Sequence, residues 1–139
     1  MSAKATTKPG AARERILLVD DEQMVRMMIK SILGFRGYQV IEAEDGIDAV
    51  EKFREATSKI DLVLMDYHLP RLNGHEALLQ LRELDPELPA LMLSGGLHDG
   101  IDMDTTNGLR GVAFLHKPFQ NDELFRLVGE LIGARSGRA

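Results

Sequence analysis

The sequence predicts an α/β fold, a doubly wound parallel sheet of five strands with helices on both faces. Two observations point to it. Short apolar runs alternate with stretches whose apolar residues recur every three or four positions, the pattern of strands interleaved with amphipathic helices. The first and third runs are also nearly all apolar, as strands covered on both sides should be.

The elements follow in order. Residues 16–19 (ILLV) form a first strand. Met24, Val25, Met28, Ile29, Ile32 and Leu33 then recur at helical spacing, and Gly34 and Gly37 punctuate the end of that helix. Residues 38–43 (YQVIEA) read as a second strand, and a helix over about 46–56 carries Ile47, Val50 and Phe53 on one face. Residues 60–66 (IDLVLMD) form a third strand, followed by the loop HLPRLNG and a helix near 75–84 with Leu78, Leu81 and Leu84. Pro86 and Pro89 bracket the next loop; residues 90–94 (ALMLS) and 111–116 (GVAFLH) are strands four and five. Asn121 is placed to cap a last helix, with Asp122 and Glu123 in its first turn and Leu124, Leu127, Val128, Leu131 and Ile132 on one face. Between strands four and five, GGLHDGIDMDTTNGLRG holds five glycines and many turn-forming residues, so the helix expected there is short or frayed. One domain over 14–133 results, with disordered tails at 1–13 and 134–139.

Composition narrows the function. The 139 residues are 44% hydrophobic, enough for a core, with no apolar run long enough to cross a bilayer and no apolar leader near the start. Cysteine is absent, which removes disulfides and thiolate zinc sites and fits the cytoplasm. Seventeen Lys and Arg are scattered among twenty-two Asp and Glu, for a net charge of −5, so direct nucleic-acid binding is not expected. No membrane partner is expected either.

The chemistry gathers where the strands end. Strand one runs into Asp20 and Asp21, strand three ends in Asp66, strand four in Ser94, and strand five leads to Lys117 and Pro118. Ligands of open parallel sheets sit beyond the carboxyl ends of the strands, where strand order reverses; in the flavodoxin-like order 2-1-3-4-5 that point lies between strands one and three. Three aspartates then share a crevice. Three carboxylates together call for a cation, and all-oxygen ligands select a hard ion, Mg²⁺. The Asp20–Asp21 pair alone reads more readily as a helix cap beside a first-turn acid; Asp66 and Lys117 reverse that reading toward metal. Strand five lies roughly 10 Å from strand three, a distance a lysine covers in large part. Mg²⁺ with a lysine and a hydroxyl is equipment for holding a phosphoryl group.

With VDDE, the aspartate of LVLMDYHLPRLNG, the serine of LMLSGG and FLHKPF in place, the chain resembles the receiver domain of two-component response regulators, single-domain type, over residues 14–133. The resemblance implies that Asp66 is the phosphoacceptor, that Asp21 ligates Mg²⁺ directly with Asp20 assisting, and that the main-chain carbonyl of His68 completes the protein ligands. It implies that Lys117 pairs with a phosphoryl oxygen, that Ser94 and Phe114 are the switch hydroxyl and switch aromatic, and that the Lys117–Pro118 peptide is cis. The implied partners are a sensor histidine kinase or a histidine phosphotransfer protein and a downstream protein target.

Leu69-Pro70 stands where the family often has Met-Pro, and Phe114 where Tyr is frequent; His68 and Gly96 flank the route of water to phosphorus. His75, His98 and His116 lack ligand spacing and read as surface or partner-facing residues rather than a metal site. Three other readings compete: a receiver-like module that binds partners without phosphorylation, a receiver cut from a hybrid histidine kinase, and a flavodoxin-like enzyme or flavin binder on the same fold. The last needs a Gly, Ser or Thr-rich loop after strand one, where this chain has acids.

Overall fold

A computed structural model describes residues 14–95 and 110–136. The elements are β1 (Arg15–Val19), α1 (Gln23–Phe35), β2 (Gln39–Ala43), α2 (Gly46–Glu55), β3 (Leu62–Asp66), α3 (Gly74–Leu84), β4 (Ala90–Ser94), β5 (Val112–His116) and α4 (Asn121–Ser136). The strands form one parallel sheet in the order β2-β1-β3-β4-β5. This is the predicted doubly wound arrangement, with β1 and β3 side by side at its centre. The expected helix between β4 and β5, His98 and Gly96 with it, lies outside the described residues, as do the segments 1–13 and 137–139 of the expected tails.

Alternation along the strands sorts the core into two layers. Leu17, Val19, Val63, Met65, Ala90 and Met92 pack with Ala49 and Val50 of α2 and Ala77, Leu78 and Leu81 of α3. Ile16, Leu18, Leu62, Leu64, Leu91, Leu93 and Leu115 pack with Ile29 and Leu33 of α1 and Leu124, Val128 and Ile132 of α4. A one-residue slip in any strand would exchange its two layers, so this patterning also fixes register.

Local chemistry sets the helix ends. Asn73 caps α3 in a capping box: its Oδ1 accepts from Glu76 N at 2.9 Å, and Glu76 Oε1 accepts from Asn73 N at 3.0 Å. Asp45 caps α2, accepting from Asp48 N at 2.7 Å. α4 continues past the boundary expected at 133 to Ser136; Arg135 in its last turn reaches Asp85 Oδ2 at 2.7 Å, an anchor that periodicity does not reveal. The helical spacing of α1 also needs one correction. Ile29 and Leu33 are buried, but Met24 and Met28 lie on the exposed side with Met27, 78%, 53% and 52% accessible. No helix among the described residues is long and apolar enough to cross a membrane.

Candidate functional site

Adjacent parallel strands bring the carboxyl ends of β1 and β3 together. Met65 stands opposite Val19, so Asp20 and Asp66, one residue beyond each, are neighbours by register. One carboxylate oxygen from each of Asp20, Asp21 and Asp66 falls within 4.8 Å of the others. Asp20 is fully buried, Asp66 half-buried and Asp21 exposed, so the cluster runs from the protein interior to solvent.

Each acid is held differently. Asp20 Oδ1 accepts from Glu22 N at 2.8 Å, whereas Asp20 Oδ2 is buried with no hydrogen-bond partner. Burial raises the Asp20 pKa; the Glu22 N–H and Lys117 oppose the rise, and the charges of Asp66 and Asp21 add to it. Asp66 Oδ1 accepts from His68 N at 3.0 Å, and Asp66 Oδ2 from Lys117 Nζ at 2.9 Å. Burial acts to lower the Lys117 pKa, but the hydrogen bond and charge of Asp66, with Asp20 and Glu22 behind, outweigh it and the pKa is raised. Lys117 starts from a main chain fixed to β4, its N–H donating to the Ser94 carbonyl at 2.8 Å, and the Lys117–Pro118 peptide is cis.

This donor set fits Mg²⁺. It is all oxygen, it carries three negative charges against one lysine, and it includes a buried oxygen that no protein donor satisfies. Asp20, Asp21 and Asp66 are the residues able to hold the ion. His68 is exposed beside them; its N–H is turned to Asp66 and its ring meets Tyr67 edge-on at 5.2 Å.

Ser94 and Phe114 lie one and two strands away from Asp66. Ser94 is fully buried and its Oγ is 2.7 Å from His116 Nδ1. Phe114 is half-buried against the α2 and α3 layer.

Three supports of the site were not read from the sequence. Arg26 Nη1 donates to the Asp20 carbonyl at 2.6 Å while its Nε meets Glu42 Oε1 at 3.2 Å. Lys30 adds a second contact to Glu42 at 3.1 Å, and it leads the groups that hold the Glu42 pKa low against the opposing effect of burial. The signal for Arg26 was its place three and seven residues before Ile29 and Leu33, a charge on the apolar face. Arg71, after the acceptor strand, pairs with Asp45 through both Nε and Nη2 and has φ 70. A non-glycine residue in that region is held there by its surroundings. Gly74 is the third: a Cβ there would lie 3.0 Å from Tyr67 Cα and 3.3 Å from the Asp66 carbonyl.

Comparison with known proteins identifies the family. The family profile described as response regulator receiver domain matches residues 16–129. The chemotaxis protein CheY of Bacillus subtilis is 36% identical over 119 residues, covering 85% of this chain and 97% of that protein. The sensor kinase CckA of Brucella abortus is 34% identical over 93% of this chain, which spans only 13% of that kinase. Among solved structures, a CheY-like response regulator receiver domain protein from Methanospirillum hungatei superposes with a TM-score of 0.82 at 26% identity, covering 92% of this chain and 100% of that one.

Proposed function

The chain belongs to the response regulator receiver domain family of two-component signal transduction, and from that premise we propose that Asp66 accepts a phosphoryl group and thereby switches a partner-binding surface. The observation that carries the proposal is the Asp66–Lys117 contact at 2.9 Å beside a three-carboxylate cluster with an unsatisfied buried oxygen.

The reaction is an in-line displacement. A carboxylate oxygen of Asp66 attacks phosphorus, the bond from phosphorus to the donor's imidazole nitrogen breaks, and an aspartyl phosphate remains. The imidazole leaves with the electron pair of the broken bond. Lys117 already sits at hydrogen-bond distance from the attacking carboxylate, placed to move its charge onto a phosphoryl oxygen as the Asp66 charge is consumed. The His68 N–H on Asp66 Oδ1 keeps the carboxylate oriented. When bound, Mg²⁺ supplies positive charge for the transferring group, and Asp20, Asp21 and Asp66, with the main-chain carbonyl of His68, are the ligands proposed for it. Ser94 then donates its hydroxyl to the phosphoryl group, and the Phe114 ring follows the space its movement leaves.

The donor class is a phosphohistidine, on a sensor histidine kinase or a histidine phosphotransfer protein. The output is a protein contact, and the chain catalyses nothing beyond its own phosphorylation and dephosphorylation. The likeness to one part of CckA also supports a relay in which the receiver serves a hybrid kinase. Intact mass measurement after incubation with acetyl phosphate and Mg²⁺ tests the proposal. A gain of one phosphoryl mass that needs Mg²⁺ supports it; no gain under any metal condition contradicts it.

A further inference from the structure

His116 stands directly across the sheet from Ser94. The two are Cα partners in the β4–β5 ladder, and alternation from Met92 and Phe114 puts both side chains toward the α2 and α3 layer. The Ser94 Oγ to His116 Nδ1 distance is 2.7 Å. Ser94 is fully buried and His116 exposed, so the serine hydroxyl has little access to water while the far side of the imidazole is open to it.

A serine hydroxyl has one proton to donate. Buried, that proton needs an acceptor, and His116 Nδ1 at 2.7 Å supplies one in the tautomer whose proton sits on Nε2. We infer that His116 is a positioning residue that holds the Ser94 hydroxyl in its unphosphorylated arrangement by accepting its proton, so that it sets how readily phosphorylation throws the switch. The inference rests on the phosphoacceptor reading of Asp66 and deepens it. A phosphoryl oxygen is an acceptor without a proton, so Ser94 serves it only by giving up His116. The exchange is confined to the side chain, because the Ser94 carbonyl is independently tied to Lys117 N at 2.8 Å. The switch is then a competition between two acceptors for one proton, and the identity of residue 116 sets the resting bias.

The test has two arms. The first is the ¹⁵N imidazole spectrum of the unphosphorylated protein at neutral pH. His116 is expected as the Nε2–H tautomer with an unprotonated, hydrogen-bonded Nδ1. A proton on Nδ1 reverses the direction of the bond and overturns the inference, whatever happens at Asp66. The second arm titrates beryllofluoride with Mg²⁺, a phosphoryl mimic, followed by amide chemical shifts. Removing one net hydrogen bond from the resting state is expected to lower the half-saturating concentration about two- to tenfold in His116→Ala. His116→Asn keeps an acceptor near the Nδ1 position and should restore the wild-type value. In a Ser94→Ala background the His116→Ala change should have no effect. Equal saturation of wild type and His116→Ala, or the same gain with Ser94→Ala, overturns the inference alone. Failure of every chain to saturate overturns the phosphoacceptor reading and the inference with it.

Discussion

Arg26, in the first turns of α1, donates from Nη1 to the main-chain carbonyl of Asp20 at 2.6 Å, and its other edge is fixed by Glu42 at 3.2 Å. The guanidinium thus ties the end of β1 to β2 just behind the carboxylate cluster. Arg26→Ala should cost about 2 kcal/mol, the scale of a charge-assisted hydrogen bond lost from a half-buried site, and weaken Mg²⁺ binding about tenfold by loosening Asp20. Urea unfolding and a Mg²⁺ titration check the two effects; an unchanged metal affinity would leave Arg26 a purely structural residue.

Asp20→Asn should move two measurements in opposite directions. The buried Oδ2 has no partner, and the charges of Asp66 and Asp21 add to the effect of burial, so without metal the Asp20 charge opposes folding. Asn keeps the acceptor for Glu22 N and removes that charge. Metal-free stability at neutral pH should rise by about 1 kcal/mol, the lower end for an unsatisfied buried group. Mg²⁺ should then stabilise the variant far less than the wild type. Thermal melts with and without Mg²⁺ read both, and a loss of metal-free stability would refute the account of Asp20.

Asp45 carries the pH dependence of the loop after β3. Burial acts to raise its pKa, but the Asp48 N–H and the Arg71 guanidinium outweigh it, and the pKa lies below the ordinary carboxylate value. The folded state therefore favours the ionised form. The stability this adds is present above the ordinary carboxylate pKa of about 3.9 and is lost as pH falls through the lowered one. Asp45→Asn keeps a cap for α2 and loses the ion pair. It should be less stable than wild type by about 1 kcal/mol at neutral pH, with the gap closing below about pH 4. Unfolding free energies across that range check it; a gap that persists in acid would place the effect elsewhere.

Gly74→Ala should damage the site from below. The added Cβ would meet Tyr67 Cα and Met92 Sδ at 3.0 Å, and the Asp66 carbonyl at 3.3 Å. Two of these are main-chain atoms beside the acceptor and have little room to yield. Overpacking of this kind costs about 1–3 kcal/mol, and phosphorylation by acetyl phosphate should slow because the Asp66 loop shifts. A variant with wild-type stability and rate would show that the loop absorbs the methyl.

Much of this was legible in the sequence for a physical reason. Strands covered on both faces have to be apolar, and residues 16–19 and 62–65 say so; Asp20, Asp21, Asp66 and Lys117 stand out because charge interrupts apolar strands at their carboxyl ends. What stayed hidden are partnerships between elements far apart in sequence. Arg71 sits in the loop HLPRLNG, and nothing local pairs it with Asp45. His116 is exposed, as a histidine without ligand spacing is expected to be, but only the parallel ladder shows that it stands beside Ser94. The exposure of Met24 and Met28 is hidden too, because the helical repeat is broad enough to include both the buried edge and the open edge of α1.

The most direct test of the central claim is to locate the acyl phosphate. After reaction with acetyl phosphate and Mg²⁺, borohydride reduces an aspartyl phosphate to homoserine, and peptide mass mapping finds the converted residue. The account predicts homoserine at position 66 alone, dependent on Mg²⁺ and absent from Asp66→Asn. Homoserine at position 20 or 21 of the wild type, or a phosphoryl mass that borohydride leaves in place, would contradict it.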